Sequence, residues 1–366
     1  MNKGIFTSFM AAGACLVSLT SCHGSAGNES FDADTITVSL QELETLIPDD
    51  KLQSPFEMVV AEDKILIANS KVDTIIDRFS LDGNYIDSFL RRGEGPDEVI
   101  NLGTMQYAAF NHNLYLNEQP WLPLKVITDL NSAFPSVGKV IKLEYTDSAI
   151  VKPVGSKIVL ANGSIIAKNN DMEGMLAVFN PDHKFAKLVQ PYPAKSEFGE
   201  GIPEYGLFNF YQDMMGVSPD GKHFVVAYGH GDILAFGKLE ADTVAVDYQI
   251  KSVPKGVVVK TSDKGYFSFE FDDNWKQSFG FPTLSNKHAY IPYYGEKMDE
   301  YFYFGKSPEG FNQQIRVYDF SGNHIRTYII PDFITRFVAV TPDDKELFLL
   351  NEDPEAGFRI LKLNLK

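Results

Sequence analysis

One charged segment that contains two glycines is the first candidate for chemistry in this sequence. It reads Arg91-Arg92-Gly93-Glu94-Gly95-Pro96-Asp97-Glu98-Val99, and no Gly-Lys-Ser/Thr follows as in a phosphate-binding loop. Arginine pairs with carboxylates in bidentate fashion, and glycine permits tight backbone. We therefore predict that Arg91, Arg92, Glu94 and Glu98 contact a ligand. The alternative is a structural loop in which one of these arginines pairs with Glu94 or Glu98.

Aromatic residues form the second candidate, and they are dense between residues 205 and 304. Flat rings with a polar edge stack on sugars or build a protein-binding patch. The alternative is that these rings fill the interior of the fold. The predicted ligand-binding aromatics are Trp121, Tyr205, Tyr211, Trp275, Tyr294 and Tyr301.

Catalytic and metal-binding signals are weak. The seven histidines are scattered without His-Glu-x-x-His spacing, and no Gly-x-Ser-x-Gly occurs. His230 follows Gly229 and precedes Gly231-Asp232, so it is a further ligand-binding candidate, with a simple turn histidine as the alternative. The acidic runs at residues 169–173 and 270–274 lack the Asp-x-Asp-x-Asp-Gly pattern of a calcium loop. We predict neither a metal nor a cofactor.

A repeat along the chain indicates what positions these residues. Six times a short polar turn is followed at once by an apolar strand, at spacings of roughly 50 to 65 residues. A four-stranded propeller blade takes about 40 to 50 residues, and insertions lengthen it. The six strands begin near Ile65, Leu114, Ile165, Phe224, Ala289 and Leu347.

The repeat predicts an all-β fold, a six-bladed β-propeller of four-stranded antiparallel blades. In the first unit the expected strands are residues 56–62, 65–69, 74–81 and 85–90. The last unit reaches the C-terminus without a fourth strand, so we expect an N-terminal strand, residues 35–40, to pair with it and close the ring. A two-sheet β-sandwich is the alternative.

The order of the strands in a blade determines on which face of the ring each connection lies. Turns between strands one and two, and between strands three and four, lie on one face of such a ring, and all other connections lie on the opposite face. The longer connections, residues 91–104, 191–213, 251–280 and 294–314, belong to the second set. Long loops in compact domains are commonly functional, so we expect the ligand on that face.

The N-terminus resembles a bacterial lipoprotein signal. Lys3 precedes an apolar run that is too short to span a bilayer, and Leu19-Thr20-Ser21-Cys22 resembles a lipobox. We predict a signal peptide at residues 1–21, a lipid on Cys22, a flexible tether through residue 34 and a single propeller domain over residues 35–366. A plain secretory signal is the alternative.

Composition narrows the classes of partner. The formal net charge is −16, which argues against nucleic acid because phosphate binding needs clustered Lys and Arg. Cys15 and Cys22 are the two cysteines, so the mature chain has no disulfide framework. We expect a monomer that contacts the membrane through its lipid.

The segment after the first blade resembles that of the TolB-like six-bladed propeller lipoproteins of Bacteroidetes. The match comprises Gly93, Gly95, Pro96, Glu98 and Val99, whereas Asp97 stands where family members more often have Gly. The resemblance implies a fold and a location in the cell envelope, but no activity.

These observations favour a non-catalytic, lipid-anchored propeller that binds a glycan or a partner protein. The alternative is an extracellular polysaccharide-degrading enzyme, with Glu94, Glu98, Asp272 or Asp273 as acid and base. Acidic groups with raised pKa values facing each other across the channel would favour the enzyme.

Overall fold

The computed structural model describes residues 33–118, 122–145, 153–171, 174–189, 213–241, 243–250, 257–261, 267–297, 310–353 and 357–365. These residues form six antiparallel sheets arranged as the blades of a propeller, as the sequence predicts. Among them, no helix has the length and apolar character needed to cross a membrane.

The N-terminal segment contributes two short strands before the first blade. They are β1 (Asp34–Thr37) and β2 (Glu44–Ile47), accompanied by short 3-10 helices at Leu40–Glu42 and Asp49–Lys51. Blade one follows with strands close to those predicted. Its strands are β3 (Pro55–Ala61), β4 (Lys64–Asn69), β5 (Thr74–Ser80), β6 (Tyr85–Arg92) and the added parallel strand β7 (Glu98–Val99).

Blades two to four repeat the four-stranded antiparallel pattern in chain order. Blade two contains β8 (Thr104–Ala108), β9 (Asn113–Asn117), β10 (Leu124–Ile127) and β11 (Lys139–Ile141). Blade three contains β12 (Pro153–Val159), β13 (Ile165–Asp171), β14 (Gly174–Phe179) and β15 (Phe185–Val189). Blade four contains β16 (Asp213–Val217), β17 (His223–Tyr228), β18 (Ile233–Glu240) and β19 (Thr243–Ile250).

A separate hairpin and two further blades complete the chain. The hairpin is formed by β20 (Val257–Thr261) and β21 (Phe267–Phe271). Blade five contains β22 (Gln277–Phe279), β23 (Thr283–Leu284), β24 (His288–Glu296), β25 (Asn312–Asp319) and β26 (His324–Pro331). Blade six contains β27 (Phe337–Val340), β28 (Glu346–Asp353) and β29 (Gly357–Asn364).

The ring is closed by the N-terminal segment, although not by the residues expected. β2 pairs antiparallel with β29 and supplies the fourth strand of blade six, and Lys362 Nζ lies 2.9 Å from Glu44 Oε2 across that pair. The predicted segment, residues 35–40, instead contributes β1, which adds in parallel to β26 of blade five. Both segments are short and rich in strand-forming residues, which predict a strand but not its partner.

The apolar core is divided among the blade interfaces. Each of the six pairs of neighbouring blades encloses a buried cluster, and a seventh, small cluster of Tyr294, Phe311 and Ile334 lies between blades five and six. The middle strands are therefore covered on both faces and read as continuous apolar runs, as in Ile65-Leu66-Ile67-Ala68 of β4. Val38 and Leu43 of the N-terminal segment lie in the cluster between blades five and six, so this segment joins both blades.

The six innermost strands, β3, β8, β12, β16, β23 and β27, are neighbours in a closed circle. We call the ring surface that carries turns 62–63, 81–84, 160–164 and 341–345 the short-turn face. The opposite surface, from which connections 93–103, 190–212 and 297–311 leave the strands, is the long-connection face. One connection departs from this division, because residues 128–138 between β10 and β11 belong to the short-turn face.

The turn between β5 and β6 shows why one glycine is needed. Gly83 has φ +78°, and a side chain there would place its Cβ 2.4 Å from the carbonyl oxygen of Leu46 in β2. Glycine thus permits both the turn and the close approach of the closing strand.

Candidate functional site

The loop from Gly93 to Val99 lies on the long-connection face and is held first by Arg92 of β6. The Arg92 guanidinium donates hydrogen bonds to the backbone carbonyls of Ser70, at 2.7 Å, and of Val72 and Ile100, both at 3.4 Å. Arg92 therefore positions the backbone at Ile100, just after the loop, and at Ser70 and Val72, which follow β4.

Glu98 folds back over the start of this loop. Its Oε2 accepts a hydrogen bond of 2.9 Å from the backbone N–H of Gly95. A Cβ on Gly93 would lie 2.0 Å from the same oxygen, and a Cβ on Gly95 would lie 2.9 Å from it. The carboxylate packs directly on the two glycines, so a side chain at either position would displace it.

A buried ion pair from blade two holds the other end of the loop. Glu118 Oε1 accepts a hydrogen bond of 2.7 Å from the N–H of Ile100, and Glu118 Oε2 lies 3.2 Å from Lys125 Nζ. Lys125 also donates to the backbone carbonyl of Glu98. Contacts from two blades therefore fix the loop, and they leave the Arg91 and Glu94 side chains exposed.

These contacts show what two of the five charged residues of the segment do within the protein. Arg92 binds carbonyl oxygens and Glu98 binds a backbone N–H, so both act within the protein. The alternative of an arginine–carboxylate pair is wrong for Arg92 and Glu98. Arg91 and Glu94 are exposed, and their contact with a ligand stays a prediction.

A pocket of about 260 Å³ lies beside this loop, between blades one and six. Its polar lining comes from Ser54, Ser70, Lys71, Arg336 and Glu352. Four of these residues precede or follow a strand at the long-connection face, and Glu352 lies at the end of β28. The carbonyl of Ser70 also accepts the Arg92 hydrogen bond. The aromatic lining consists of Phe56, Phe337 and Phe358. Arg92, which holds the loop, thus also contacts a residue of the pocket lining.

A second cavity of about 110 Å³ lies among the innermost strands, in the central channel. Glu57 of β3 and Lys157 of β12 both line it, and both are buried. Burial raises the pKa of Glu57 to about 8, against one backbone hydrogen bond from Met105 that lowers it. Burial lowers the pKa of Lys157 to about 8. Sequence reasoning missed both residues, because single charged residues within strands carry no motif.

Two amide side chains beside this cavity are fully used in joining blades two and three. Gln106 exchanges two hydrogen bonds of 2.8 Å with the backbone of Val159. Asn117 does the same with the backbone of Lys157, at 2.8 and 3.0 Å. Each amide imitates a strand backbone and extends the hydrogen-bond ladder from one blade to the next.

Comparison with known families identifies the fold more closely. The family model for TolB-like 6-blade propeller-like proteins matches residues 31–341. The chain belongs to this TolB-like family. No curated protein matches the sequence.

Solved structures similar to this TolB-like propeller come from Bacteroides. One is a member of the DUF4221 family from Bacteroides vulgatus, with a TM-score of 0.52, 8% identity and coverage of 88% of this chain and 94% of that one. Another is a Bacteroides fragilis protein that has been proposed to be exported, with a TM-score of 0.50, 10% identity and coverage of 91% and 99%. At such identities the likeness concerns the fold alone.

Two of the aromatic residues predicted to bind a ligand are buried in this TolB-like protein. Trp275 is 6% exposed and Tyr294 is 2% exposed, so neither presents a ring face to solvent. Tyr294 donates its hydroxyl to the carbonyl of Thr335 at 2.9 Å, which joins blade five to blade six. Both rings lie in the interior of the fold.

His230 lies against the buried Trp275. The Trp275 indole N–H donates to His230 Nδ1 at 3.2 Å, and the two rings are 5.3 Å apart. Burial lowers the pKa of His230 to about 4, and the nearby Lys168 charge contributes to this. His230 is therefore neutral at pH 7, and its Nδ1 is occupied by the indole.

The four carboxylates that the enzyme alternative names as acid and base lie in different environments. Glu94 is exposed and Glu98 is bound to Gly95. Asp272 accepts the N–H of Asn274 at 2.7 Å, whereas the exposed Asp273 pairs with Lys297 at 2.9 Å. Each carboxylate has its own local partner or faces solvent.

Several predicted positions lie outside the described residues. They are the signal peptide and tether with Cys22, and the aromatic residues Trp121, Tyr205, Tyr211 and Tyr301. Within the described part of the chain, no group of three His, Cys, Asp or Glu side chains could hold a metal ion.

Proposed function

We propose that this protein is a lipid-anchored binding protein of the cell envelope and that it performs no catalysis. Its ligand is a glycan or a partner protein, which occupies the long-connection face between blades one and six. The observation that carries the proposal is the pocket of about 260 Å³ beside a loop fixed by two blades.

The pocket is suited to one unit of a larger ligand. Ligand pockets for whole small molecules span about 300 to 1,000 Å³, so this one is near the lower limit. Its lining combines aromatic rings with serine hydroxyls and the charged Lys71, Arg336 and Glu352. A single sugar ring or one protein side chain fits that size and chemistry, while the rest of the ligand contacts the exposed Arg91 and Glu94.

The rigidity of the loop from Gly93 to Val99 supports the same proposal. Binding to a preorganised loop avoids the free-energy cost of ordering it, which improves affinity. Three of the four carboxylates that the enzyme alternative names are instead engaged in separate local contacts, and the fourth, Glu94, is exposed. The proposed export of a structural neighbour is consistent with an envelope location.

The anchor is tested by replacing Cys22, the proposed lipid-attachment residue. We expect Cys22→Ala to move the protein from the membrane fraction to the soluble fraction of cells, because the acyl chains are lost. Retention of the variant on membranes after washing without detergent would show that the anchor is not this cysteine.

The binding surface is tested with matched charge reversals on the two faces. Lys71 lines the pocket, and Lys345 lies on the short-turn face with a 77% exposed side chain. On an array of envelope and dietary polysaccharides, Lys71→Glu should lose at least tenfold in affinity, and Lys345→Glu should bind as the wild type does. Equal binding by both variants would place the ligand elsewhere.

A partner protein requires a different readout. A photo-crosslinking amino acid at position 94 should give a discrete adduct in intact cells, and the same residue at position 343 should give none. Adducts from position 343 alone would contradict the proposal, because Asp343 lies on the short-turn face.

A further inference from the structure

The exposed apolar side chains of this propeller are concentrated on one surface. Eight large apolar side chains are exposed in the described part of the chain, and six of them lie in or beside connections of the short-turn face. Single exposed apolar residues are ordinary on a protein surface, but a collection on one face marks a candidate interaction surface. The six are Tyr85, Ile86, Phe134, Val140, Tyr145 and Ile325.

Phe134 is the most exposed of these residues, with 88% of its surface accessible. It lies in connection 128–138, between the buried residues Leu130 and Pro135. Its backbone N–H donates a hydrogen bond of 3.2 Å to Ser132 Oγ. The connection is therefore fixed on both sides of Phe134 and presents the ring to solvent.

The same connection is joined to blade one, which brings apolar residues of two blades together. The Arg78 guanidinium lies 3.4 Å from the carbonyl oxygen of Ser132, and its Nε donates to Asp87 Oδ1 at 2.6 Å. Ser132 precedes Phe134 by two positions, and Asp87 directly follows Ile86 in β6. Arg78 and Asp87 form an ion pair, so contact with an apolar surface here leaves neither charge unpaired.

The direction of β1 shows from which face the N-terminal chain enters the ring. β26 begins directly after turn 320–323 on the short-turn face and runs away from that face. β1 pairs with β26 in parallel, with Asp34 opposite Arg326, so both strands run in the same direction. The chain therefore reaches Asp34 from the side of the short-turn face.

The length of the predicted tether makes this face the nearer one to the anchor. Cys22 stands twelve residues before Asp34, and a flexible chain of that length spans about 20 Å on average. The eight residues of β26 alone extend about 27 Å toward the long-connection face. A lipid on Cys22 therefore keeps the short-turn face close to the bilayer more readily than the opposite face.

We propose that the short-turn face lies against the lipid bilayer and that Phe134 and Ile86 enter the boundary between headgroups and acyl chains. Aromatic and aliphatic side chains on membrane-bound surfaces occupy this boundary. The inference rests on the proposed lipid anchor at Cys22. A flat bilayer fits better than a protein partner, because the exposed apolar residues extend around the face to Ile325 of blade five. This orientation directs the pocket of the long-connection face away from the membrane.

The test couples the full mature chain to vesicles and maps the residues that meet lipid. Cys22 is the one cysteine of the mature chain, so its thiol can be attached to a maleimide lipid in vesicles of phosphatidylethanolamine and phosphatidylglycerol. A photo-crosslinking amino acid at position 134 should give at least fivefold more lipid adduct, measured by mass spectrometry, than the same amino acid at position 100. Ile100 is the matched control, because it is 39% exposed but lies on the long-connection face.

A charge substitution tests whether the apolar side chain itself enters the bilayer. With the photo-crosslinking amino acid at position 86, Phe134→Asp should lower the yield of lipid adduct at least threefold, because a carboxylate resists transfer out of water. Ile100→Asp should leave that yield unchanged. Unchanged yields in both variants would contradict the insertion of Phe134.

Three further results would overturn the proposal. Equal lipid adducts from positions 134 and 100 would show that the propeller has no preferred orientation, and more adduct from position 100 would reverse it. Adducts that join position 134 to a second copy of the chain, or to another protein in intact cells, would assign the surface to a protein partner. Chemical coupling separates this test from the proposed anchor, which fails only if Cys22→Ala stays on cell membranes.

Discussion

Two polar side chains near the central channel have opposite hydrogen-bonding states. Asn117, which joins blades two and three, uses both ends of its amide on the backbone of Lys157. Glu57, between blades one and two, accepts from the backbone of Met105 and leaves Oε2 unpaired. Both residues are buried, so burial alone does not tell whether a polar side chain has all its hydrogen-bond partners. The difference is whether the protein itself completes the hydrogen bonds.

Removing the satisfied amide should have the largest effect on stability. Asn117→Leu leaves a buried N–H and a buried C=O of Lys157 unpaired, each costing about 1 to 3 kcal/mol, so we expect a loss of about 4 kcal/mol. Urea denaturation of the mature chain measures this loss. Asn113→Leu, at the other end of β9, is the control and should change stability by less than about 1 kcal/mol. Similar losses in both variants would mean that the amide pair has no special role.

Ionisation of Glu57 should make the free energy of unfolding depend on pH. Its folded-state pKa of about 8 exceeds the ordinary value of 4.5, so the folded chain keeps a proton that the unfolded chain releases. Stability due to this group is therefore fully present below pH 4.5 and is lost as pH rises through about 8. Between pH 5 and 7.5, wild-type protein should lose about 1.4 kcal/mol per pH unit relative to Glu57→Gln.

The control for this prediction is Glu94→Gln, because Glu94 is exposed. The stability difference between this variant and the wild type should not change with pH. A Glu57→Gln profile parallel to that of the wild type would show that Glu57 is already ionised in the folded protein, and the contrast with Asn117 would disappear.

The smallest stability effect is expected at Arg91. This side chain is exposed, whereas its neighbour Arg92 bonds to three carbonyls. Arg91→Ala should change the free energy of unfolding by less than about 0.5 kcal/mol, and Arg92→Ala should cost about 1 to 3 kcal/mol. Thermal unfolding of the two variants compares them directly, and the reverse order would contradict the assignment of Arg92 as the positioning residue.

The repeat predicted the six blades because a strand packed on both faces must be apolar throughout. A buried asparagine in the second strand is a further feature that recurs among the blades. In four blades the second strand carries a buried asparagine at its last residue or two residues before it, at Asn69, Asn117, Asn169 and Asn351. Their amides bond backbone groups at the long-connection face, as Asn351 does with the carbonyl of Ile334 at 3.0 Å. This position in the repeat could have predicted the polar contacts between neighbouring segments.

Other features could not be predicted from the sequence. Whether an aromatic ring is exposed depends on which residues surround it, and Trp275 is covered by contacts that include His230, distant in sequence. The pocket between blades one and six unites residues from both ends of the chain. Glu57 has no motif, because its role follows from the backbone that surrounds it and not from its neighbours in sequence.

The pairing of β2 with β29 also determines when the ring can be completed during synthesis. Asp49 accepts a hydrogen bond of 2.8 Å from the N–H of Phe358, a partner 309 positions later in the chain. Contacts between such distant residues form slowly, and a nascent chain emerges with its N-terminus first. β2 must therefore wait, with its edge unpaired, until β29 is available. A chaperone that shields residues 34–47 during this interval would protect the chain from aggregation.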